Sequence, residues 1–210
     1  MPCQPESEIS TLVKPGLNHL KPIAALILAA GEASRFGACK QLIELDGTTM
    51  LQSCIDKANK VFPDSVFVVT GAYHREISTT IRQAKVIFNP NWEQGMGSSI
   101  ACGVRAIERQ HDAIMILLAD QVAIEVHDLK TMVSSFNGSN IVCAHYAGSR
   151  GVPALFAQNV FNDMKRLKGN RGAKAVLNRA NENIIDIEIL SAEIDIDTPA
   201  DLEYLNLVRR

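Results

Sequence analysis

The feature that most constrains the fold is a set of short apolar segments that alternate with segments of helical periodicity. Residues 23–29, 65–69 and 113–118 are apolar almost throughout, which is typical of strands buried on both faces of a sheet. Between them, at 49–61 and 97–109, apolar residues recur at the spacing of an amphipathic helix. Strands joined by helices in this way form a mostly parallel sheet that helices cover on both sides. The pattern therefore predicts a single-domain, Rossmann-like, three-layer α/β sandwich.

Shorter segments complete this prediction. The same patterns indicate strands at 86–88, 141–145, 154–156 and 184–189, and helices at 74–82, 126–136, 160–167, 172–180 and 198–208. Residues 1–21 contain three prolines and little periodicity, so we expect a flexible N-terminal tail. One domain should follow over residues 22–210, because a chain of 210 residues is long enough to bury a sizeable core.

Composition excludes two classes of partner. The 21 basic and 23 acidic residues give a net charge of −2, so the chain lacks the basic field that binds nucleic acid or anionic membranes. The longest apolar run, residues 23–30, is far shorter than the roughly 20 residues that span a bilayer, and no compact basic region precedes it. The five cysteines have neither C-x-x-C nor zinc-ligand spacing, as is typical of reduced thiols. We therefore expect a cytoplasmic protein.

The loop after the first predicted strand is a candidate phosphate site. Gly31, Gly37 and Lys40 have the spacing G-x5-G-x2-K, which fits neither the Walker A loop nor the dinucleotide fingerprint. Backbone N–H groups near the first glycine could still face an anion, with Arg35 and Lys40 supplying positive charge. An ordinary surface loop with two solvated cations is equally compatible with these residues alone. The position favours a ligand, because parallel sheets bind ligands beyond the carboxyl ends of their strands.

A second glycine-rich stretch, NPNWEQGMGSSIACGV, opens the helix predicted at 97–109. Gly95, Ser98 and Ser99 offer unpaired N–H groups and hydroxyls to an anion or to the edge of a base. A simple capped helix explains the same residues.

Carboxylates occur at two points where a metal ion could bind. Asp120 ends the apolar strand IMILLAD, where a buried charge must be solvated, paired or bound to a metal. Asp195 and Asp197 precede the predicted last helix and would share one side of an extended segment. Magnesium prefers one or two protein carboxylates together with phosphate oxygens and water, so Asp120 and Asp197 form a suitable pair. Either carboxylate could instead cap a helix.

Five segments, in order along the chain, resemble the MobA-like nucleotidyltransferases. They are LAAG-x3-R-x-G-x2-K-Q-L at 28–42, N-x-x-W-x-x-G-M-x-x-S at 89–99, A-D-Q at 119–121, G-x-R-G-x-P with G-N-R-G-A at 148–173, and D-I-D-T-P-x-D-L at 195–202. The chain is most similar to the molybdenum cofactor cytidylyltransferase branch, which implies the nucleotide-diphospho-sugar transferase type of fold. It departs from the pattern at Phe36, Cys39, Val122, Val152 and Ala200.

The resemblance also implies roles for individual residues. Ala29, Ala30 and Gly31, with Arg35 and Lys40, would wrap the triphosphate, and Gly95, Ser98 and Ser99 would lie near the nucleoside. Asp120 and Asp197 would hold Mg²⁺. The segments 148–153 and 169–174, which we expect to be loops, would flank the acceptor, with Arg150, Arg171 and Lys174 near its phosphate. Arg35, Lys40 and Asp120 would be the catalytic residues.

The implied reaction is a Mg²⁺-dependent transfer of CMP from CTP to a phosphate on a molybdopterin-type acceptor, with release of pyrophosphate. Ala30 favours CTP over GTP by analogy, and a molybdoenzyme could receive the product. Three alternatives stay open. Val152, where the family usually has histidine, is compatible with another phosphate acceptor. An oxidoreductase of the nicotine-blue type resembles the same family, and a non-catalytic maturation chaperone would keep the fold.

Overall fold

The chain folds around a seven-stranded sheet. A computed structural model describes residues 22–32, 36, 38–179, 183–196, 198 and 200–201. Its strands are β1 (Ile23–Ala29), β2 (Glu44–Leu45), β3 (Thr48–Thr49), β4 (Val66–Thr70), β5 (Lys85–Phe88), β6 (Ala113–Leu118), β7 (Ile141–Tyr146), β8 (Ser149–Ala157) and β9 (Ile184–Glu188). Its α-helices are α1 (Met50–Asn59), α2 (His74–Thr80), α3 (Met96–Ile107), α4 (Val126–Ser134), α5 (Phe161–Met164) and α6 (Lys174–Leu177).

The main sheet has the strand order β5-β4-β1-β6-β8-β7-β9. β1 lies in the interior and pairs in parallel with β4 and β6, and β5 continues the parallel half beside β4. β8 is antiparallel to both β6 and β7, whereas β9 runs parallel to β7. β2 and β3 form a separate two-stranded hairpin. The predicted single α/β domain with a mostly parallel sheet is confirmed.

Two apolar cores cover the two faces of the sheet. Ala25 and Ile27 of β1 pack with Ile55 of α1, whereas Leu26 packs on the opposite face with Ile100 of α3. Successive residues of one strand thus enter different cores, which explains why β1 is a continuous apolar run. Burial of each leucine or isoleucine side chain contributes roughly 1.5–3 kcal/mol.

Local signals fix where two of the helices begin. The Thr49 side chain accepts a hydrogen bond from the Gln52 N–H at the start of α1, as an N-cap does. Glu125 and Asp128 form a reciprocal capping box at the start of α4. These caps orient α1 and α4 on the face of the sheet away from α3.

The structure corrects one predicted loop and shortens several helices. Residues 149–153, expected to be a loop, form the first half of β8, and residues 149–151 pair with β7 across a tight turn at Ala147 and Gly148. Both turn residues have positive φ, as two-residue hairpin turns require. The helices predicted at 160–167 and 172–180 are shorter in the structure, where they correspond to α5 and α6. Of the predicted last helix, Thr198, Ala200 and Asp201 are described, and the last two are helical; residues 1–21 lie outside the described part.

Candidate functional site

A cleft of about 580 Å³ opens beyond the carboxyl ends of β1 and β6. This is where parallel sheets bind ligands, and the volume lies in the usual range for small-molecule sites. Its walls come from the loop after β1, the short 3₁₀ helix Lys40–Leu42, the start of α3 and two segments late in the chain. The lining residues are Leu28, Ala30, Gly31, Glu32, Lys40, Gln41, Trp92, Glu93, Gly95, Met96, Ser99, Leu118, Asp120, Asn170 and Asp195.

Lys40 and Asp120 form an ion pair in this cleft. The Lys40 Nζ lies 2.7 Å from Asp120 Oδ2 and also donates to the Ile196 carbonyl oxygen at 3.2 Å. The two side chains are only 12% and 20% exposed. The second carboxylate oxygen, Asp120 Oδ1, is buried and has no hydrogen-bond partner among the described residues. A buried anionic oxygen without a donor is a favourable ligand for a cation.

The carboxylates of the cleft fit a divalent cation that also binds phosphate. Asp195 lines the cleft with Asp120, whereas Asp197, the predicted second metal ligand, lies outside the described residues. Within the described part, no group of three or more His, Cys, Asp and Glu side chains could hold a metal ion. Mg²⁺ commonly takes one or two carboxylates and completes its coordination with phosphate oxygens and water. The two carboxylates therefore fit a divalent cation that takes its other ligands from phosphate and water.

The start of α3 is shaped by close backbone contacts. Gly95 has φ +91°, and a β-carbon there would lie 2.5 Å from Asn170 Oδ1. The Gly97 N–H donates to the Gly169 carbonyl oxygen at 2.9 Å. The loop that follows α5 is thereby packed against the N-terminal turn of α3, which explains why this turn is rich in glycine.

The two serines of this turn have different surroundings. The Asn89 amide donates to both hydroxyls, at 2.9 Å for Ser98 and 3.0 Å for Ser99. Ser98 also donates to backbone carbonyls of Asn91 and Gly95, so its hydroxyl serves the local structure. Ser99 lines the cleft and is buried. The sequence analysis missed Asn89, whose signal was the Asn-Pro pair that ends β5.

A smaller cavity of about 160 Å³ adjoins the cleft. Leu28, Met96 and Leu118 line both spaces and so form a shared wall. On the far side Tyr146 lies over Gly151, and any β-carbon at Gly151 would clash with the tyrosine hydroxyl. Burial raises the pKa of that hydroxyl. The cavity is thus mostly apolar, with a fixed aromatic wall.

Two of the three predicted acceptor-binding cations line this smaller cavity. Arg150 makes a bidentate pair with Asp186, at 2.7 Å and 3.0 Å, which lowers the pKa of the aspartate. The Lys174 Nζ donates only to the Ser149 hydroxyl among the contacts described, at 3.2 Å. Arg171 is exposed and lines neither space. Lys174 is therefore better placed than Arg150 to receive an additional anion.

The structure brings together most of the predicted nucleotide-binding residues. Ala30, Gly31, Lys40, Gly95, Ser99 and Asp120 share the cleft. Ala29 is buried in the sheet and Ser98 faces Asn89 and Asn91, so neither lines it. Arg35 lies outside the described residues.

The cysteines of the described region are not activated nucleophiles. Burial raises the pKa of Cys54 and of Cys143 to about 12, and the Asp186 carboxylate that accepts a hydrogen bond from Cys143 adds to the second shift. Burial also raises the pKa of Cys39 and Cys102. Each thiol thus stays protonated near neutral pH, which argues against catalysis by a cysteine nucleophile.

The fold is the nucleotide-sugar transferase type of α/β fold, and the sequence match to an NTP transferase domain defines the class of the protein, a nucleotidyltransferase. The family follows from the sequence, since residues 25–184 match the MobA-like NTP transferase domain. The chain belongs to the MobA-like NTP transferase family.

Similar proteins carry several different names. The chain is 29% identical over 201 residues to the purine catabolism protein PucB of Bacillus subtilis, covering 90% of this chain and 96% of that protein. It is 24% identical over 185 residues to the molybdenum cofactor cytidylyltransferase of Escherichia coli, covering 87% and 94%. It is also 24% identical over 196 residues to the nicotine blue oxidoreductase of Paenarthrobacter nicotinovorans, covering 87% and 96%.

Solved structures share the fold at low identity. A mycobacterial homologue of Rv0371c, from strain JC1, is 24% identical with a TM-score of 0.78, covering 89% of this chain and 97% of that one. Rv0371c of Mycobacterium tuberculosis in complex with manganese is 21% identical with a TM-score of 0.74, covering 88% and 97%. Nucleotidyltransferases of this kind use a divalent metal ion. In the described part of the present chain, no helix is long and apolar enough to cross a membrane.

Proposed function

We propose that the protein is a Mg²⁺-dependent cytidylyltransferase that transfers CMP from CTP to a phosphate on a molybdopterin-type acceptor. The observation that carries this proposal is the Lys40–Asp120 pair in a cleft of nucleotide size, where one carboxylate oxygen has no donor among the described residues. The similarity to the molybdenum cofactor cytidylyltransferase supports the choice of substrates. Ala30 favours CTP over GTP by family resemblance.

The chemistry is a displacement at the α-phosphorus of CTP. An oxygen of the acceptor phosphate forms a bond to this phosphorus, the bond to the bridging oxygen of the β-phosphate breaks, and pyrophosphate leaves. The protein takes little part in the covalent chemistry. It positions the two substrates and stabilises the charge on their phosphates. Asp120 and Asp197 would hold Mg²⁺, which would neutralise negative charge on the phosphate oxygens.

Lys40 is the described residue best placed to stabilise the leaving group. Its ammonium already lies in the cleft, oriented by Asp120 and by the Ile196 carbonyl. A side chain held in advance loses less conformational entropy when the triphosphate binds. Arg35 would add a second cation from the loop after β1.

The acceptor is assigned to the smaller cavity, because it shares a wall with the nucleotide cleft. Its apolar lining and the Tyr146 ring suit a flat heterocycle, and Lys174 suits the terminal phosphate. Arg150 and Arg171 are less suited to bind this phosphate, because Arg150 is paired with Asp186 and Arg171 is exposed.

A transferase with a different phosphate acceptor is the second candidate. It is favoured by Val152, which lines the smaller cavity with an apolar side chain where the family usually has histidine. The nucleotide side of the site would be unchanged.

The test is a pyrophosphate-release assay with CTP or GTP, Mg²⁺ and molybdenum-loaded molybdopterin. We expect release with CTP, and its loss in Asp120→Ala. Asp163→Ala, which removes an exposed carboxylate paired with Arg166, is the matched control and should retain activity. No release with either nucleotide would refute the proposed acceptor, and full activity of Asp120→Ala would refute the metal assignment. Nucleotide binding without turnover would instead indicate a non-catalytic chaperone. Oxidation of NAD(P)H in the presence of a quinoid dye would indicate an oxidoreductase.

A further inference from the structure

Gln121, the residue after Asp120, is a buried amide that joins two distant segments. It is 7% exposed, and its Nε2 donates to the carbonyl oxygen of Val152 at 2.9 Å and of Ala192 at 2.8 Å. Val152 lies on β8 beside the smaller cavity, and Ala192 lies in the 3₁₀ helix after β9. Both N–H groups of the amide are therefore used to hold main chain from other parts of the fold.

The segment held through Ala192 leads directly to the acidic wall of the cleft. Three residues later Asp195 lines that cleft. The next residue, Ile196, donates its N–H to the Asp120 carbonyl oxygen at 3.2 Å, and its own carbonyl accepts from Lys40 at 3.2 Å. The segment is thus fixed at both ends, by the buried amide before Asp195 and by main-chain contacts after it.

We propose that Gln121 is a positioning residue that sets the affinity of the cleft for a divalent cation. It holds the segment that carries Asp195, and that leads two residues later to the proposed ligand Asp197, at a fixed place relative to Asp120, with no contact to the cation itself. Groups that orient metal ligands in this way typically change metal affinity 10–100-fold when they are replaced. The inference rests on the proposed function in one respect, because it requires that a divalent cation binds at Asp120.

Two substitutions separate positioning from simple stability. Gln121→Met keeps the length of the side chain and removes both donors, whereas Gln121→Asn keeps the donors on a side chain too short to reach both carbonyls. The matched control is Asn140→Ala, since Asn140 is also buried and donates to a backbone carbonyl, that of Ser135, at 3.1 Å. It should lower thermal stability through a lost buried hydrogen bond and leave metal affinity unchanged.

The measurement is a titration with Mn²⁺, in which electron paramagnetic resonance counts the free ion. It is repeated with non-hydrolysable CTP and GTP analogues by water-proton relaxation, and a thermal midpoint is recorded for each variant. We expect Gln121→Met to bind Mn²⁺ about 10-fold more weakly than wild type, with Gln121→Asn between the two. If Gln121→Met does not fold, Gln121→Asn decides the outcome by the same criterion.

The results distinguish the two proposals. Wild type that binds Mn²⁺, with Gln121 variants within about twofold of it, would overturn the positioning role and leave the proposed function intact. Wild type that binds no Mn²⁺, alone or with either analogue, would overturn both. A weakening of equal size in Asn140→Ala would also overturn the positioning role, because it would show that lost stability alone explains the effect.

Discussion

Replacing Lys40 by methionine should destabilise the protein and, at the same time, make it more responsive to divalent cations. The substitution keeps an unbranched side chain of similar length and removes the ammonium group. Asp120 would lose the donor at 2.7 Å from Oδ2, while Oδ1 has no hydrogen-bond partner among the described residues. A carboxylate that is only 20% exposed would then remain without its ammonium partner.

The size of the effect follows from burial. Removing one member of a buried pair costs about 3–5 kcal/mol, and the partial exposure of this pair places the expected loss near the lower end, at about 3 kcal/mol. Each kcal/mol lowers the melting temperature of a chain of this size by about 2–4 °C. The double variant Lys40→Met/Asp120→Asn buries no charge at this point, so it should recover about 1–2 kcal/mol of that loss.

The response of each variant to divalent cations is a second test of the Lys40–Asp120 pair. In wild type a cation at Asp120 competes with the ammonium, whereas in Lys40→Met it replaces a missing counter-charge. At a concentration 100 times its Kd, the cation would add about 2.7 kcal/mol. Mn²⁺ should therefore stabilise Lys40→Met more than wild type, and have little effect on the double variant.

The assay is urea unfolding at 25 °C with and without Mn²⁺, with Lys130→Met on the exposed face of α4 as the control. The predicted loss of stability would be refuted if Lys40→Met unfolded at the same midpoint urea concentration as wild type. The predicted response to divalent cations would be refuted if Mn²⁺ stabilised wild type as much as Lys40→Met.

Three further predictions concern the surroundings of the cleft. Gly95→Ala should lower stability by about 1–3 kcal/mol and weaken nucleotide binding, because φ is +91° and a β-carbon would lie 2.6 Å from the Gly169 backbone; melting curves and fluorescent CTP binding test this. Arg150 lowers the pKa of Asp186, so the stabilisation by this pair is present above the ordinary carboxyl pKa of 3.8 and is lost as the pH falls through the lowered value. Arg150→Met should therefore be less stable than wild type at about pH 6, by about 1 kcal/mol or less, and in acid titrations the difference should vanish as the pH falls through the lowered pKa of Asp186. Cys143 should resist iodoacetamide at about pH 8 in the folded protein and react after unfolding, as mass spectrometry would show, since its pKa is raised to about 12; rapid labelling of the native thiol would contradict this.

The fold was predictable where burial alone determines the structure. β1 and β6 were predicted to the residue, because every position in them except Leu118, which lines the cleft, packs in or against one of the two cores and the strands are continuous apolar runs. The first half of β8 was missed, because Ser149, Arg150 and Gly151 are half-buried and show no apolar alternation. Their strand conformation comes from pairing with β7, which the local sequence does not encode.

The site was predictable where charge interrupts an apolar pattern. Asp120 was predicted in this way, whereas Lys40 was predicted from the spacing of the glycine-rich loop after β1; the two side chains meet across 80 positions of the chain. Asn89 and Gln121 lie in segments that resemble the family, but their contacts were not predicted, because the local sequence does not show which distant groups an amide will reach. Gln121 reaches Ala192 71 positions away, and only the folded chain reveals that contact.

The antiparallel hairpin of β7 and β8 interrupts a sheet that is otherwise parallel. In the proposed reaction its residues Tyr146, Arg150 and Val152 wall the acceptor space, whereas the loop after β1 and the start of α3 wall the nucleotide space. The hairpin thus lines only the acceptor space, while Leu28, Met96 and Leu118 line both spaces. Substitutions confined to the hairpin would therefore change the acceptor space and leave the nucleotide cleft as it is, a route by which similar sequences could come to act on different acceptors.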